Sequence, residues 1–170
     1  MKQLFLIGFM GSGKTTVARH LSKTLNMNYI DIDNLIEEMN YNISDIFKEE
    51  GEDAFRSYET DALKLTRQAP IISTGGGIVE RSENIHFMKN NGIIIYLRTS
   101  LDIIKTRLAN DKSRPLWKEG SQTDVLFSIR VKMYEACADY TIDCDNRSVE
   151  ELVQEIIDIC RYKGILEGEE

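Results

Sequence analysis

Nine residues near the start of the chain, Gly8-Phe9-Met10-Gly11-Ser12-Gly13-Lys14-Thr15-Thr16, combine the types and spacing that hold a phosphate chain. They fit G-x-x-x-x-G-K-[ST] at Gly8, Gly13, Lys14 and Thr15. Glycines let the backbone curl so that several N–H groups converge on one phosphate. The helix that opens behind such a loop adds a fixed partial positive charge. Lys14 supplies a point charge for the outer phosphates, and the Thr15 hydroxyl can ligate Mg2+. The pattern has this meaning only between a strand and a helix. Leu4-Phe5-Leu6-Ile7 precedes it as an apolar run, and Val17, Leu21 and Leu25 follow at helical spacing. A nucleoside triphosphate is the ligand that this stretch implies.

Four further clusters could do chemistry. Asp31 and Asp33 follow the short strand-like segment Tyr29-Ile30. Asp33 there can serve as a helix N-cap. Alternatively, one carboxylate holds water around Mg2+ while the other accepts a hydrogen bond from a hydroxyl about to be phosphorylated. Arg56 and Glu59, three apart on a helix, are either a solvated pair or a carboxylate that fixes a guanidinium for an anionic ligand. Gly75-Gly76-Gly77 after the apolar segment Pro70–Ser73 implies a close backbone approach to a ligand. Arg107, Arg114 and Arg130 lie before, within and after an aperiodic stretch, 110–120, that reads as a lid; they are candidate phosphate and acid clamps. The strand before the glycines ends in Ser73-Thr74 rather than an aspartate, and no Asn-Lys-x-Asp follows, which argues against a switch GTPase.

The elements that must carry these residues alternate between strand and helix. Strands are expected at Leu4–Ile7, Tyr29-Ile30, Pro70–Ser73, Ile93–Leu97 and Tyr140–Asp143. Helices are expected after the phosphate loop and over about 34–39, 52–67, 84–89, 100–108, 123–137 and from Ser148, where Glu151 completes a capping box. A shorter helix capped by Ser44 should end near Gly51, and Asn91-Gly92 reads as a turn. Phe55, Tyr58, Ala62 and Leu65 form the apolar face of the 52–67 helix, and Leu126, Ile129 and Met133 that of the 123–137 helix. The pattern predicts an α/β fold, a three-layer α/β/α domain around a five-stranded parallel sheet. Every cluster then sits at a strand's carboxyl end, where such sheets bind ligands.

Composition narrows the class. A chain of 170 residues suits one domain, and a net charge of -7 argues against nucleic acid as a partner. The apolar run at the start is too short for a membrane span or a signal core. The three cysteines, Cys137, Cys144 and Cys160, lack metal-ligand spacing and read as buried thiols of a reducing cytoplasm. Glu167–Glu170 reads as a frayed acidic tail.

In order, Gly8 to Thr16, Asp31-x-Asp33, Phe55-Arg56-x-x-Glu59, Ser73-x-Gly75-Gly76-Gly77, Arg114-Pro115-Leu116 and Arg130-x-x-x-Tyr134 resemble the shikimate kinase family of the small bacterial type. The resemblance spans about residues 2–162. It implies a P-loop, nucleoside monophosphate kinase-like fold with strand order 2-3-1-4-5, a substrate-binding region at about 33–60 and a lid at about 109–121. It implies transfer of the γ-phosphoryl group of ATP, with Mg2+, to the 3-hydroxyl of shikimate, by a monomer. Carried over by position, Gly11, Ser12, Gly13, Lys14, Thr15 and Thr16 would bind ATP, with Arg107 and Arg147 flanking the adenine and Arg114 closing from the lid. Thr15 and, through water, Asp31 would hold the metal. Lys14, Asp33 and Arg114 would be catalytic. Asp33, Arg56, Gly75, Gly76, Gly77 and Arg130 would bind shikimate, with Glu59 positioning Arg56. Val149 stands where the family often has a proline. The alternatives are a kinase for another hydroxylated acid, such as gluconate, and a catalytically silent nucleotide-binding protein of the same fold.

Overall fold

Parallel strands covered by helices on both faces have no wet side, so they run apolar without alternation. That is the character of β1 (Gln3–Ile7) and β4 (Gly92–Arg98), which lie side by side in the centre of the sheet. The computed structural model describes residues 2–39, 41–109 and 121–166. The expected lid loop with Arg114, Pro115, Leu116 and Trp117, and the acidic tail, lie outside the described residues. So does Asn40, at the expected break after the second helix.

Five strands pair in parallel in the order β2-β3-β1-β4-β5, as the family resemblance implies; β2 is Tyr29–Asp31, β3 Ile71–Ser73 and β5 Tyr140–Asp143. Successive side chains point to opposite faces. Leu4 and Leu6 join Val17 and Leu21 of α1 (Lys14–Leu25) in one cluster, with Leu152, Val153 and Ile156 of α8 (Val149–Tyr162). Phe5 and Ile7 pack into the other with residues of α2 (Ile32–Glu38), α4 (Glu52–Lys64), α5 (Ser82–Asn91), α6 (Leu101–Leu108) and α7 (Ser121–Cys137). Each fully buried leucine, isoleucine or phenylalanine contributes about 1.5–3 kcal/mol. The three cysteines are free and buried, and burial pushes the Cys144 thiol up to about 11 and that of Cys160 up to about 12.

Several local expectations need correction. The short segment before α4 starts at α3 (Ile43–Asp45), capped by Asn42 rather than Ser44: Asn42 Oδ1 accepts from the Asp45 N–H at 3.1 Å. A π-helical turn, Ile46–Glu50, carries it to Gly51, whose φ of 90° is one that glycine adopts without strain. The α4 helix stops at Lys64, and Leu65 is 61% exposed; the buried stripe runs through Phe55, Arg56, Glu59, Ala62 and Leu63. On α7, Ile129 is 49% exposed, and Thr123, Arg130, Tyr134 and Cys137 face inward. In both helices charged residues occupy core positions, so a stripe traced through apolar residues alone is displaced. At the start of α8 the expected cap is present, with Ser148 Oγ accepting from the Glu151 N–H at 3.2 Å.

No turn separates α5 from β4, since Asn91 ends the helix and Gly92 begins the strand. Gly92 is backbone-extended at φ 179°, so its reason is steric: a Cβ there would lie 1.8 Å from the Gln3 carbonyl oxygen, across the β1–β4 pairing. Gly92→Ala should therefore cost about 3 kcal/mol, the upper end of overpacking. Urea unfolding checks this; an unchanged midpoint contradicts it.

Candidate active site

The phosphate loop is braced from several sides. Gly13 is the N-cap of α1 with φ 99°, and no side chain caps the first turn there. The first N–H groups of a helix lie outside its own ladder and attract an anion. Gly8 admits no side chain: a Cβ would lie 2.7 Å from Ser12 Oγ and 2.8 Å from the Leu97 carbonyl oxygen. Lys14 Nζ reaches back across the loop, donating to the carbonyls of Gly8 at 2.6 Å and Phe9 at 2.9 Å. Arg107 Nη1 donates to the Gly11 carbonyl at 2.9 Å, and the Thr99 hydroxyl to that of Ser12 at 3.2 Å.

Beside the loop, three oxygens converge. The β2–β3 register sets Asp31 opposite Ser73, and α1 brings Thr15 to both. Thr15 Oγ1 donates to Asp31 Oδ2 at 2.6 Å and lies 3.4 Å from Ser73 Oγ. Hard oxygen donors of this kind, few in number and next to a phosphate cradle, fit Mg2+, which takes one or two protein ligands and completes its shell with phosphate and water. Asp31 also caps α2, its Oδ1 accepting from the Asn34 N–H at 3.1 Å. The capping role considered for Asp33 therefore falls to Asp31, and Asp33 lies in the helix's first turn.

The second half of the site is charged and buried. Arg56 is 4% exposed, Glu59 0% and Arg130 1%. Arg56 Nη1 donates to Glu59 Oε1 at 3.0 Å and Nη2 to Glu52 Oε1 at 3.3 Å. Arg130 donates from Nε at 3.2 Å and from Nη2 at 3.0 Å to Glu80 Oε1. Burial pushes the Glu59 carboxyl up, and Asp33 adds to this; Arg56 pulls the other way. Burial alone would lower Arg56, but Glu59, Glu80 and Glu52 hold it above its ordinary value.

The glycine triplet fits between these side chains. A Cβ on Gly75 would lie 2.6 Å from Glu59 Oε2 and 3.4 Å from Asp33 Oδ1. One on Gly77 would lie 2.3 Å from the Arg56 guanidinium, and one on Gly76 would lie 3.1 Å from the Met10 amide nitrogen. Tyr134 donates to the Gly76 carbonyl at 2.5 Å and is steadied by Tyr96, their ring centroids 5.0 Å apart. Two of the three glycines thus make room for the site's own ion pair.

Two cavities meet here. The larger, about 410 Å3, is lined by residues 11–17 of the loop and, at its far edge, by Arg107, Leu108, Cys144, Arg147, Val149 and Leu152. Arg147 is held there by Glu155, Nη1 to Oε2 at 2.5 Å. The smaller is lined by Arg56, Glu59, Arg130, Phe47, Phe55 and the glycines. Asp33, Gly75 and Gly76 line both. The structure therefore brings together every expected site residue that it describes, and Arg114 lies outside the described residues. Sequence reasoning passed over Ser73 as a neighbour of Thr15, and Glu52 and Glu80 as partners of the arginines. Ser73 was legible in principle, since parallel pairing sets two strand ends side by side. Glu80 carries no periodic or motif signal, because it lies on a short 3-10 turn, Ile78–Glu80.

Comparison with known proteins agrees. A family model described as shikimate kinase matches residues 10–161. A shikimate kinase of Bacillus mycoides is 44% identical over 160 residues, covering 92% of this chain and 96% of that one. Among solved structures, a shikimate kinase from Acinetobacter baumannii in complex with shikimate superposes with a TM-score of 0.89 at 35% identity, covering 96% of this chain and 94% of that one. One from Aquifex aeolicus gives 0.82 at 32% identity, over 97% and 99%.

The Glu59 carboxyl lies above its ordinary value of 4.5, so the folded chain keeps a proton there over a range where the unfolded chain has released it. Within that range stability falls as pH rises. The unfolding free energy of the wild type minus that of Glu59→Gln should therefore decrease as pH rises above 4.5. Urea unfolding at several pH values measures it; a difference that is constant or rises with pH contradicts it.

Proposed function

The chain belongs to the shikimate kinase family, and we propose that the joined cavities transfer the γ-phosphoryl group of MgATP to the 3-hydroxyl of shikimate, giving shikimate 3-phosphate and ADP. The observation that carries this is the shared wall. Asp33, Gly75 and Gly76 stand between a phosphate cradle and a chamber holding two buried arginines.

The residues divide the work as follows. Loop N–H groups from Gly11 to Thr16 and the start of α1 hold the triphosphate, and Arg107 and Arg147 flank its base. Thr15 would hold Mg2+, and Asp31 would act on it through water. The ion supplies charge neutralisation on the phosphate oxygens when bound. Arg56 and Arg130 bind the shikimate carboxylate, Glu59 orients Arg56, and the backbone at Gly75, Gly76 and Gly77 meets the ring hydroxyls. Asp33 accepts the hydrogen bond of the 3-hydroxyl and takes its proton as that oxygen bonds to the γ-phosphorus and the bond to the ADP oxygen breaks. Lys14 turns from its own loop carbonyls to the charge that develops on the transferring group. Catalysis is mostly positioning and charge stabilisation. In this reading the chain is one kinase domain, residues 33–60 form the acid-binding region, and residues 109–121 form a lid whose Arg114 closes over the phosphates. Among the described residues no helix is long and apolar enough to cross a membrane. The free, buried cysteines suit a reducing compartment, and we place the reaction in the cytoplasm.

ADP release from MgATP, measured with shikimate, gluconate and nucleoside monophosphates in turn, tests the assignment. Turnover is expected with shikimate. Turnover on gluconate without shikimate, or on none of them, overturns it. Two variants test the division of roles. Arg56→Ala should raise the shikimate KM by removing a charge-assisted contact of about 1.5–3 kcal/mol. Asp33→Ala should mainly lower kcat. Steady-state kinetics in which both variants keep wild-type values contradict the acid site.

A further inference from the structure

Two guanidiniums side by side repel, and each has several rotamers. Something must hold them if they are to receive one carboxylate between them. Arg56 has partners on its own helix, Glu52 and Glu59. Arg130, on α7, faces them from across the chamber, and the carboxylate it engages is Glu80. Glu80 is also near Arg56: its Oε2 lies 3.9 Å from Arg56 Nε, an atom with no hydrogen-bond partner among the described residues. One carboxylate therefore spans both arginines, Oε1 toward Arg130 and Oε2 toward Arg56.

The side from which it does so matters. Arg56 and Arg130 both line the smaller cavity, and Glu80 does not. Glu80 takes the Nε and Nη2 edge of Arg130, whereas Nη1 is directed to Gly76, 3.5 Å from where a Cβ on that glycine would be. The Gly76 backbone is part of the cavity wall. Glu80 thus grips Arg130 by one edge and leaves the other turned to the chamber. Its place follows from the chain path, because the 3-10 turn Ile78–Glu80 begins directly after the triplet. Asn84 Nδ2 anchors that turn by donating to the Ile78 carbonyl at 3.0 Å.

We propose that Glu80 is a positioning residue for shikimate, clamping Arg130 and drawing Arg56 toward it so that the two guanidiniums form one seat for the substrate carboxylate. This rests on the kinase reading above. Glu80 touches neither substrate nor phosphate, and its effect passes through the arginines. It therefore acts on binding of the acid and leaves the phosphate loop untouched.

Steady-state kinetics of Glu80→Ala and Glu80→Gln, with each substrate varied in turn, provide the test. Glu80→Ala should raise the shikimate KM about tenfold, with kcat and the ATP KM within about twofold of wild type. Glu80→Gln, which keeps an acceptor but loses the charge, should fall between the two. A Glu80→Ala/Arg130→Ala double variant should be no worse than Arg130→Ala alone, since the two act as one unit. A purely structural role would lower thermal stability without this selective split or this non-additivity. If Glu80→Ala does not fold, Glu80→Gln carries the test with the same signs. An unchanged or lowered shikimate KM overturns the proposal, the lowered value marking Glu80 as a competitor for the seat. Wild-type protein without shikimate turnover overturns the kinase reading and this proposal with it; an active wild type with indifferent Glu80 variants overturns this proposal alone.

Discussion

Arg56 and Glu59 place a full ion pair at core positions, and much of the site is arranged to make that tolerable. Removing one partner of such a pair leaves an uncompensated buried charge and costs about 3–5 kcal/mol. The pair sits one helical turn apart on α4, so its geometry is set by the helix itself. Gly75 and Gly77 lack side chains where Glu59 and the Arg56 guanidinium need the space. Glu52 and Glu80 supply further negative charge from the rim. Burial sets the direction of the Glu59 shift: it raises the carboxyl, Arg56 only partly opposes it, and Asp33 adds to the rise. In the proposed reading the two arginines of this chamber receive the substrate carboxylate.

The phosphate half depends on a different constraint, the register of a parallel sheet. Because β2 and β3 pair with Asp31 opposite Ser73, and α1 starts from the end of the β1 loop, three oxygens from three segments meet without any long-range charge pairing. Asp31 serves twice, as cap of α2 and as partner of Thr15. That double use leaves Asp33, two residues on, lining both cavities. The two halves thus meet at Asp33, the carboxylate proposed to accept the substrate hydroxyl's proton.

Much of this was legible in the sequence, because some signals are local. The glycine-lysine-threonine loop, the apolar strands and their alternation with helices read directly, and the family resemblance supplied the strand order. The faces of α4 and α7 did not, since hydrophobic periodicity follows only apolar side chains and here the buried stripe includes Arg56, Glu59 and Arg130. Leu65 and Ile129 read as inward by that periodicity and lie at the surface. Two caps are offset by two residues, Asn42 for Ser44 and Asp31 for Asp33, because neighbouring polar residues compete for the same orphan N–H groups. Glu80 was illegible because its role is defined by what lies across the chamber from it.

The proposed chemistry requires that the buried arginines receive the acid while Asp33 faces the phosphate loop. A crystal structure of the protein with shikimate and a non-hydrolysable ATP analogue tests it most directly. The shikimate carboxylate is expected hydrogen-bonded to both Arg56 and Arg130, with the 3-hydroxyl on Asp33 and directed at the terminal phosphate above Lys14. A carboxylate bound away from the two arginines, or a 3-hydroxyl directed away from the phosphate loop, would contradict it.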